Sequence, residues 1–145
     1  MKPINVGLLG IGTVGGGTFT VLQRNQEEIT RRAGRPIRIS VVADKNLELA
    51  KKVTGGTCRL TDDAFAVVAD PEVDIVVELI GGCGVAKELV LKAIGNGKHV
   101  VMVNVEADAL CGPFLARRCR EAGVVYSLAY GDQPALVCEL VDWAR

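Results

Sequence analysis

The sequence predicts a single α/β domain built on a doubly wound parallel sheet, and three observations carry that prediction. Short, nearly continuous apolar runs alternate with longer segments of helical spacing along the whole chain. Hydrophobic residues make up 49% of the composition and aromatics only 4%, so Val, Ile, Leu, Ala and Gly dominate, as strands covered on both faces require. Residues 6–17, Val-Gly-Leu-Leu-Gly-Ile-Gly-Thr-Val-Gly-Gly-Gly, put a cluster of glycines where the first apolar run gives way to a helical segment. At 145 residues the chain fits one domain with a core of its own.

Residues 3–9 read as the first strand and 13–32 as a long helix, with Val14, Phe19, Val21, Leu22 and Ile29 on its apolar side. Gly34 ends that helix and Pro36 blocks its continuation. Strand two covers 37–43 and is followed directly by Asp44; a short helix over 46–53 runs into the Thr54-Gly55-Gly56 turn. A helix over 62–69 starts at a Thr61 or Asp62 cap, and Asp70-Pro71 stops it. Ile75–Ile80 is a strand ended by Gly81-Gly82, then 84–95 is a helix stopped at Gly95-Asn96-Gly97. Residues 99–103 form a further strand and 106–122 a helix, in which Gly112-Pro113 is either a distortion or the true start. Val124–Ala129 is the last strand, and Gly131-Asp132-Gln133-Pro134 opens a final helix that runs to Arg145. The tally is five or six strands separated by helices.

The bulk properties exclude several classes of function. With 17 basic and 17 acidic residues the formal net charge is zero, which gives no footprint for nucleic acid or a membrane surface. Mean hydropathy is +0.28, yet no apolar run approaches the roughly 20 residues of a membrane span. The start, Met1-Lys2-Pro3-Ile4, lacks signal-peptide architecture, so a cytoplasmic location is expected. Cys58, Cys83, Cys111, Cys119 and Cys138 include no C-x-x-C pair, and His99 is the single histidine, so no metal site is expected and reduced thiols are.

Gly10, Gly12 and Gly15 form G-x-G-x-x-G between a strand and a helix, the context in which that pattern cradles a dinucleotide. Gly10 lets the chain turn, Gly12 admits a pyrophosphate close to the backbone, and Gly15 lets the helix pack on the sheet. The helix start at Thr13 and Val14 then offers free N–H groups and a positive dipole end to the phosphates. The expected fold is therefore Rossmann-like, with NAD or NADP as the cofactor. Asp44, at the end of strand two, is the candidate for the adenosine ribose hydroxyls, or else a turn cap. It follows Gly15 at a longer interval than is usual because the first helix is long. An acid there favours NAD, while the adjacent Lys45 would attract a 2′-phosphate. Gly81 and Gly82 let the backbone run close to the cofactor or simply turn. Asn104 either faces the nicotinamide ribose or carboxamide or caps a turn.

Beyond the glycines, Val42-Ala-Asp44, Asp74-Ile-Val-Val-Glu-Leu-Ile-Gly-Gly82 and the Ala-Ile-Gly-Asn-Gly-Lys-His-Val-Val run ending at Val101 resemble the nucleotide-binding domain of homoserine dehydrogenase. The resemblance covers residues 1–101. It implies hydride transfer between NAD(P)H and aspartate semialdehyde, in a two-domain subunit that dimerises. The family usually follows this strand with Thr-Ala-Asn-Lys, and the lysine is implicated in catalysis. Here Asn104 matches but Val105 stands at the lysine position, and valine cannot donate a proton. Asn104–Asp108 and Tyr126–Ala135 are more similar to homoserine-dehydrogenase-like oxidoreductases that often carry an SAF domain.

The two-part resemblance leaves a chimera or a truncated chain open. The chain ends at Trp143-Ala144-Arg145, and a C-terminal substrate and dimerisation domain is expected to be absent. No catalytic residue is assigned. A non-catalytic binding or engineered scaffold domain stands as the alternative, as does an enzyme using Glu106 or Asp108 in place of the lysine. Self-association is an open possibility.

Overall fold

The computed structural model describes residues 2–129 and 133–145. Its elements run β1 (Ile4–Leu9), α1 (Thr13–Arg24), α2 (Gln26–Ala33), β2 (Ile37–Ala43), α3 (Leu47–Thr54), β3 (Arg59–Thr61) and α4 (Ala64–Ala69). They continue with β4 (Ile75–Glu78), α5 (Gly84–Gly95), β5 (His99–Met102), α6 (Val105–Glu121), β6 (Tyr126–Leu128) and α7 (Gln133–Trp143). The strands form one sheet in the order β3-β2-β1-β4-β5-β6, with every pairing parallel. That is the doubly wound order, in which the chain runs outward one way from β1 and then returns to β4 on its other side.

Two cores flank the sheet. On one face Val6, Leu8, Ile39 and Val42 meet Phe19 of α1 and Ala50 of α3. On the other, Leu9, Val41, Val76, Val100 and Met102 meet α4, α5 and α6 through Val67, Leu89, Val90 and Leu115. Adjacent residues Leu8 and Leu9 face opposite cores, as the two-residue period of a strand demands. Ile39 and Val42 nevertheless share a face although they are three apart. The reason is a bulge: Val6 pairs with Ile39 and Gly7 with Val41, so Ser40 is an extra residue on β2 that resets the alternation.

Several expectations need correction. The predicted helix over 13–32 is two helices. Asn25 leaves helical geometry at φ −105°, ψ 22°, and the Gln26 side chain donates to the Leu22 carbonyl at 2.9 Å and the Ile37 carbonyl at 2.6 Å. That amide satisfies a carbonyl at the end of α1 and ties the break to β2. Val14 and Val21, expected on the buried side, are 59% and 48% exposed; Phe19 carries the contact with the sheet. Strand β3 has only three residues, too few for a period to show, and is defined by its pairing with β2. The sheet is therefore six-stranded.

Helix α4 is capped by Asp63, whose carboxylate accepts from the Phe65 and Ala66 N–H groups, and not by Thr61 or Asp62. Strand β4 ends at Glu78, two residues earlier than expected. Helix α6 starts at Val105 and runs through Pro113, so Gly112-Pro113 is an interior irregularity. Gly131 and Asp132, expected to open the last helix, lie outside the described residues. Among the described residues no helix is long and apolar enough to cross a membrane.

Candidate functional site

The site grows from the carboxyl end of β1. Beyond Leu9 the chain reverses at Gly10, whose φ of +102° is a conformation that other residues rarely adopt. The Gly10 N–H donates to the Ala43 carbonyl at 2.8 Å, and a Cβ there would lie 3.1 Å from the Leu79 carbonyl oxygen. The loops after β1 and β4 thus abut at the point where strand order reverses. Gly15 is needed for a different reason, since a Cβ would stand 2.2 Å from the Gly10 carbonyl oxygen. Gly12 is the opposite case: a Cβ there would meet nothing within 4 Å.

Gly12 also caps α1 without any side-chain hydrogen bond, and Gly16 N–H to Gly12 O at 2.8 Å is the first bond of the helix. The N–H groups before Gly16 precede the first bond of the helix, at its positive end. Thr13 and Val14 are exposed in this first turn. A space that a Cβ would fill, bordered by uncapped N–H groups, fits a pyrophosphate.

Asp44 stands just past β2. Its Oδ2 accepts from the Ile11 N–H at 2.8 Å and its Oδ1 from the Asn46 N–H at 2.8 Å. The carboxylate therefore braces the glycine loop and still has lone pairs for hydroxyl donors. Lys45 beside it is exposed. A shallow groove of about 610 Å³, lined by Ile11, Gly12, Thr13, Gly16, Leu49 and Val53, continues from the loop between α1 and α3. A larger recess of about 770 Å³ between α5 and α6, and one of about 400 Å³ beside Arg38 at the start of β2, lie away from the carboxyl edge where ligands of such sheets bind.

The second half of the site follows β4. Gly81 and Gly82 both have positive φ, +81° and +72°, and are exposed. Asn104 is buried and caps α6, its Oδ1 accepting from the Ala107 N–H at 3.1 Å while its Nδ2 donates to the Gly82 carbonyl at 2.6 Å. The Asn104 side chain thus caps a helix and also ties α6 to the glycine pair. Val105, 39% exposed, opens the helix. Glu106 is exposed, whereas Asp108 is engaged: its Oδ1 accepts from the Tyr126 hydroxyl at 2.5 Å. Burial first, then the Asp108 carboxylate, push the Tyr126 hydroxyl far above its ordinary value.

Glu78, which the sequence reading did not single out, is fully buried at the end of β4. Its Oε1 accepts from the Ile80 N–H at 2.6 Å, while its Oε2 is buried with no hydrogen-bond partner among the described residues. Burial raises the Glu78 carboxyl above its ordinary range, against a smaller pull from the Ile80 N–H and the Asn104 amide. The available signal was a single charged residue inside the apolar run Ile75–Ile80.

The NAD-binding domain model of homoserine dehydrogenase matches residues 10–124. The chain belongs to the homoserine dehydrogenase family. Within it, the chain is 78% identical to a homoserine dehydrogenase of Methylobacillus glycogenes over 99% of its own length and 37% of the relative's. It is 52% identical to that of Pseudomonas aeruginosa, over 86% of this chain and 28% of the relative. A crystal structure of a homoserine dehydrogenase from Thiobacillus denitrificans superposes with a TM-score of 0.84 at 56% identity, covering 88% of this chain and 30% of that one.

The family match continues past Val101, where the motif resemblance thins. The chain spans about a third of the length of these homoserine dehydrogenases. It is the family's NAD(P)-binding domain.

Proposed function

We propose that this chain is the cofactor half of a homoserine dehydrogenase that transfers hydride between NAD(P)H and aspartate semialdehyde, with substrate held by other parts of the enzyme. In this reading Gly10, Gly12, Thr13, Val14 and Gly15 receive the pyrophosphate, and Asp44 accepts from the adenosine ribose hydroxyls. Gly81, Gly82 and Asn104 border the nicotinamide half, since the two halves of a doubly wound sheet take the two halves of the dinucleotide. When bound, the cofactor supplies the hydride. This chain's residues bind and orient it.

The observation that carries the reading is the contrast at the glycines: a Cβ at Gly15 has no room in the protein, while a Cβ at Gly12 would occupy only open space. Asp44 favours NAD(H), because two backbone donors hold its carboxylate in place and a 2′-phosphate would meet that charge. Lys45 softens the preference. Thermal unfolding with each cofactor tests both points. NADH is expected to raise the melting temperature more than NADPH does; the reverse order overturns the preference, and no shift with either overturns cofactor binding.

A second reading, a binding domain without turnover of its own, draws on Val105. Valine at that position can neither donate a proton to a developing alkoxide nor stabilise its charge. The chain by itself is expected to bind cofactor and not oxidise it. Protein-dependent oxidation of NADH by aspartate semialdehyde, in the presence of this chain alone, rules this second reading out.

A further inference from the structure

A buried carboxyl group with one oxygen unpartnered among the described residues is costly to place in the middle of a parallel sheet. An apolar side chain, such as those of Val76 and Met102 nearby, would fill the site without the desolvation cost. The question is what Glu78 does in return. The end of β4 supplies the answer. Leu79 is still held by the ladder, its N–H donating to the Leu9 carbonyl at 2.9 Å. Ile80 is the first residue outside it, and its side chain is 42% exposed, so packing does not anchor it. Gly81 and Gly82 have no side chains, and nothing approaches within 4 Å of where a Cβ would be.

Among the described residues, the segment Ile80–Gly82 is therefore pinned by hydrogen bonds at two points. One is Glu78 Oε1 on the Ile80 N–H at 2.6 Å; the other is Asn104 Nδ2 on the Gly82 carbonyl at 2.6 Å. We propose that Glu78 is a positioning residue for nicotinamide binding: by holding the Ile80 amide it sets the course of the Gly81-Gly82 backbone beside the nicotinamide half of the cofactor, without touching the cofactor. The glycine loop after β1 abuts Leu79 and Ile80 but also has hydrogen bonds of its own, to the Asp44 carboxylate and the Ala43 carbonyl. Glu78 thus acts on one half of the dinucleotide and not on the other. This inference rests on the cofactor reading above.

The test compares NADH with ADP-ribose, which lacks the nicotinamide ring, by titration calorimetry on the whole chain. Glu78→Leu removes the acceptor and keeps the volume. It is expected to weaken NADH about tenfold and to leave ADP-ribose within about twofold, the ratio expected when one buried N–H loses its partner. Glu78→Gln retains an acceptor oxygen and is expected to restore NADH affinity to within about threefold. Equal weakening of both ligands by Glu78→Leu, or unchanged NADH affinity, overturns the proposal while leaving the cofactor reading intact. If the wild-type chain binds neither ligand, both fall. Should Glu78→Leu not fold, hydrogen exchange on the wild-type chain decides: a protected Ile80 amide supports the proposal and a freely exchanging one overturns it.

Discussion

Gly12 and Gly15 lie three residues apart in one loop and have opposite requirements. Substituting Gly15 with alanine would drive a Cβ into the Gly10 carbonyl oxygen at 2.2 Å, so the loop must move. We expect Gly15→Ala to lower stability by about 1–3 kcal/mol and to abolish cofactor binding, measured by urea unfolding and titration. Among the described residues nothing lies within 4 Å of the Cβ that Gly12→Ala adds, and the φ of −60° suits alanine. It should change stability by no more than about 1 kcal/mol yet still block the pyrophosphate.

At Glu78 the residue scale also sets a pH dependence. Its carboxyl is held above the ordinary 4.5 by burial, so folding favours the protonated acid. That stabilisation is complete below the unfolded value and is lost as pH rises through the raised folded value. Unfolding free energies from about pH 4 to 8 should therefore fall for the wild type relative to Glu78→Gln. Parallel profiles for the two proteins would show that Glu78 titrates as in the unfolded chain.

Among the elements, α6 is the one tied at its start to the glycine pair after β4, the proposed nicotinamide side. Its N-cap Asn104 both closes the helix and holds Gly82, and the bond from Tyr126 to Asp108 fastens its first turn to β6. Gly112 leaves room for that carboxylate, because a Cβ there would stand 2.4 Å from Asp108 Oδ1. Asn104→Ala should cost about 1–2 kcal/mol of stability and weaken NADH. Asn104→Ser should recover most of the stability, since serine caps well, but not the affinity, because its side chain is too short to reach Gly82. Recovery of both would mean that capping alone is what the cofactor side needs. Glu106 and Asp108 both lie in the first turn of α6, where acids suit the helix dipole.

For the whole molecule, the sheet order brings the loops after β1, β2 and β4 to one edge, with β1 and β4 adjacent across the reversal. On the proposed reading, cofactor binding at that edge couples to global stability. At a ligand concentration 100 times the dissociation constant the fold gains about 2.7 kcal/mol. For a domain of this size that is a rise of ~8 °C in melting temperature. A rise confined to NADH and NADPH, and absent with nicotinamide mononucleotide alone, would locate most of the binding energy on the pyrophosphate and adenosine side.

Alternation of apolar runs with helical periods determined the α/β class, the parallel sheet and most element positions, because burial on two faces leaves its mark residue by residue. The turn at Gly10, the tight packing at Gly15 and the place of Asp44 at the end of β2 were legible because their demands are local. The strand of three residues at Arg59–Thr61, the break at Asn25 and the bulge at Ser40 were not, since each is set by what a neighbouring element presents. Nor did local sequence say that Asn104 would reach Gly82 across 22 residues, or that Glu78 would be sealed with one oxygen unpartnered. Desolvation and long-range hydrogen bonds exist only once the sheet has closed over them, so those roles were decided by the tertiary structure alone.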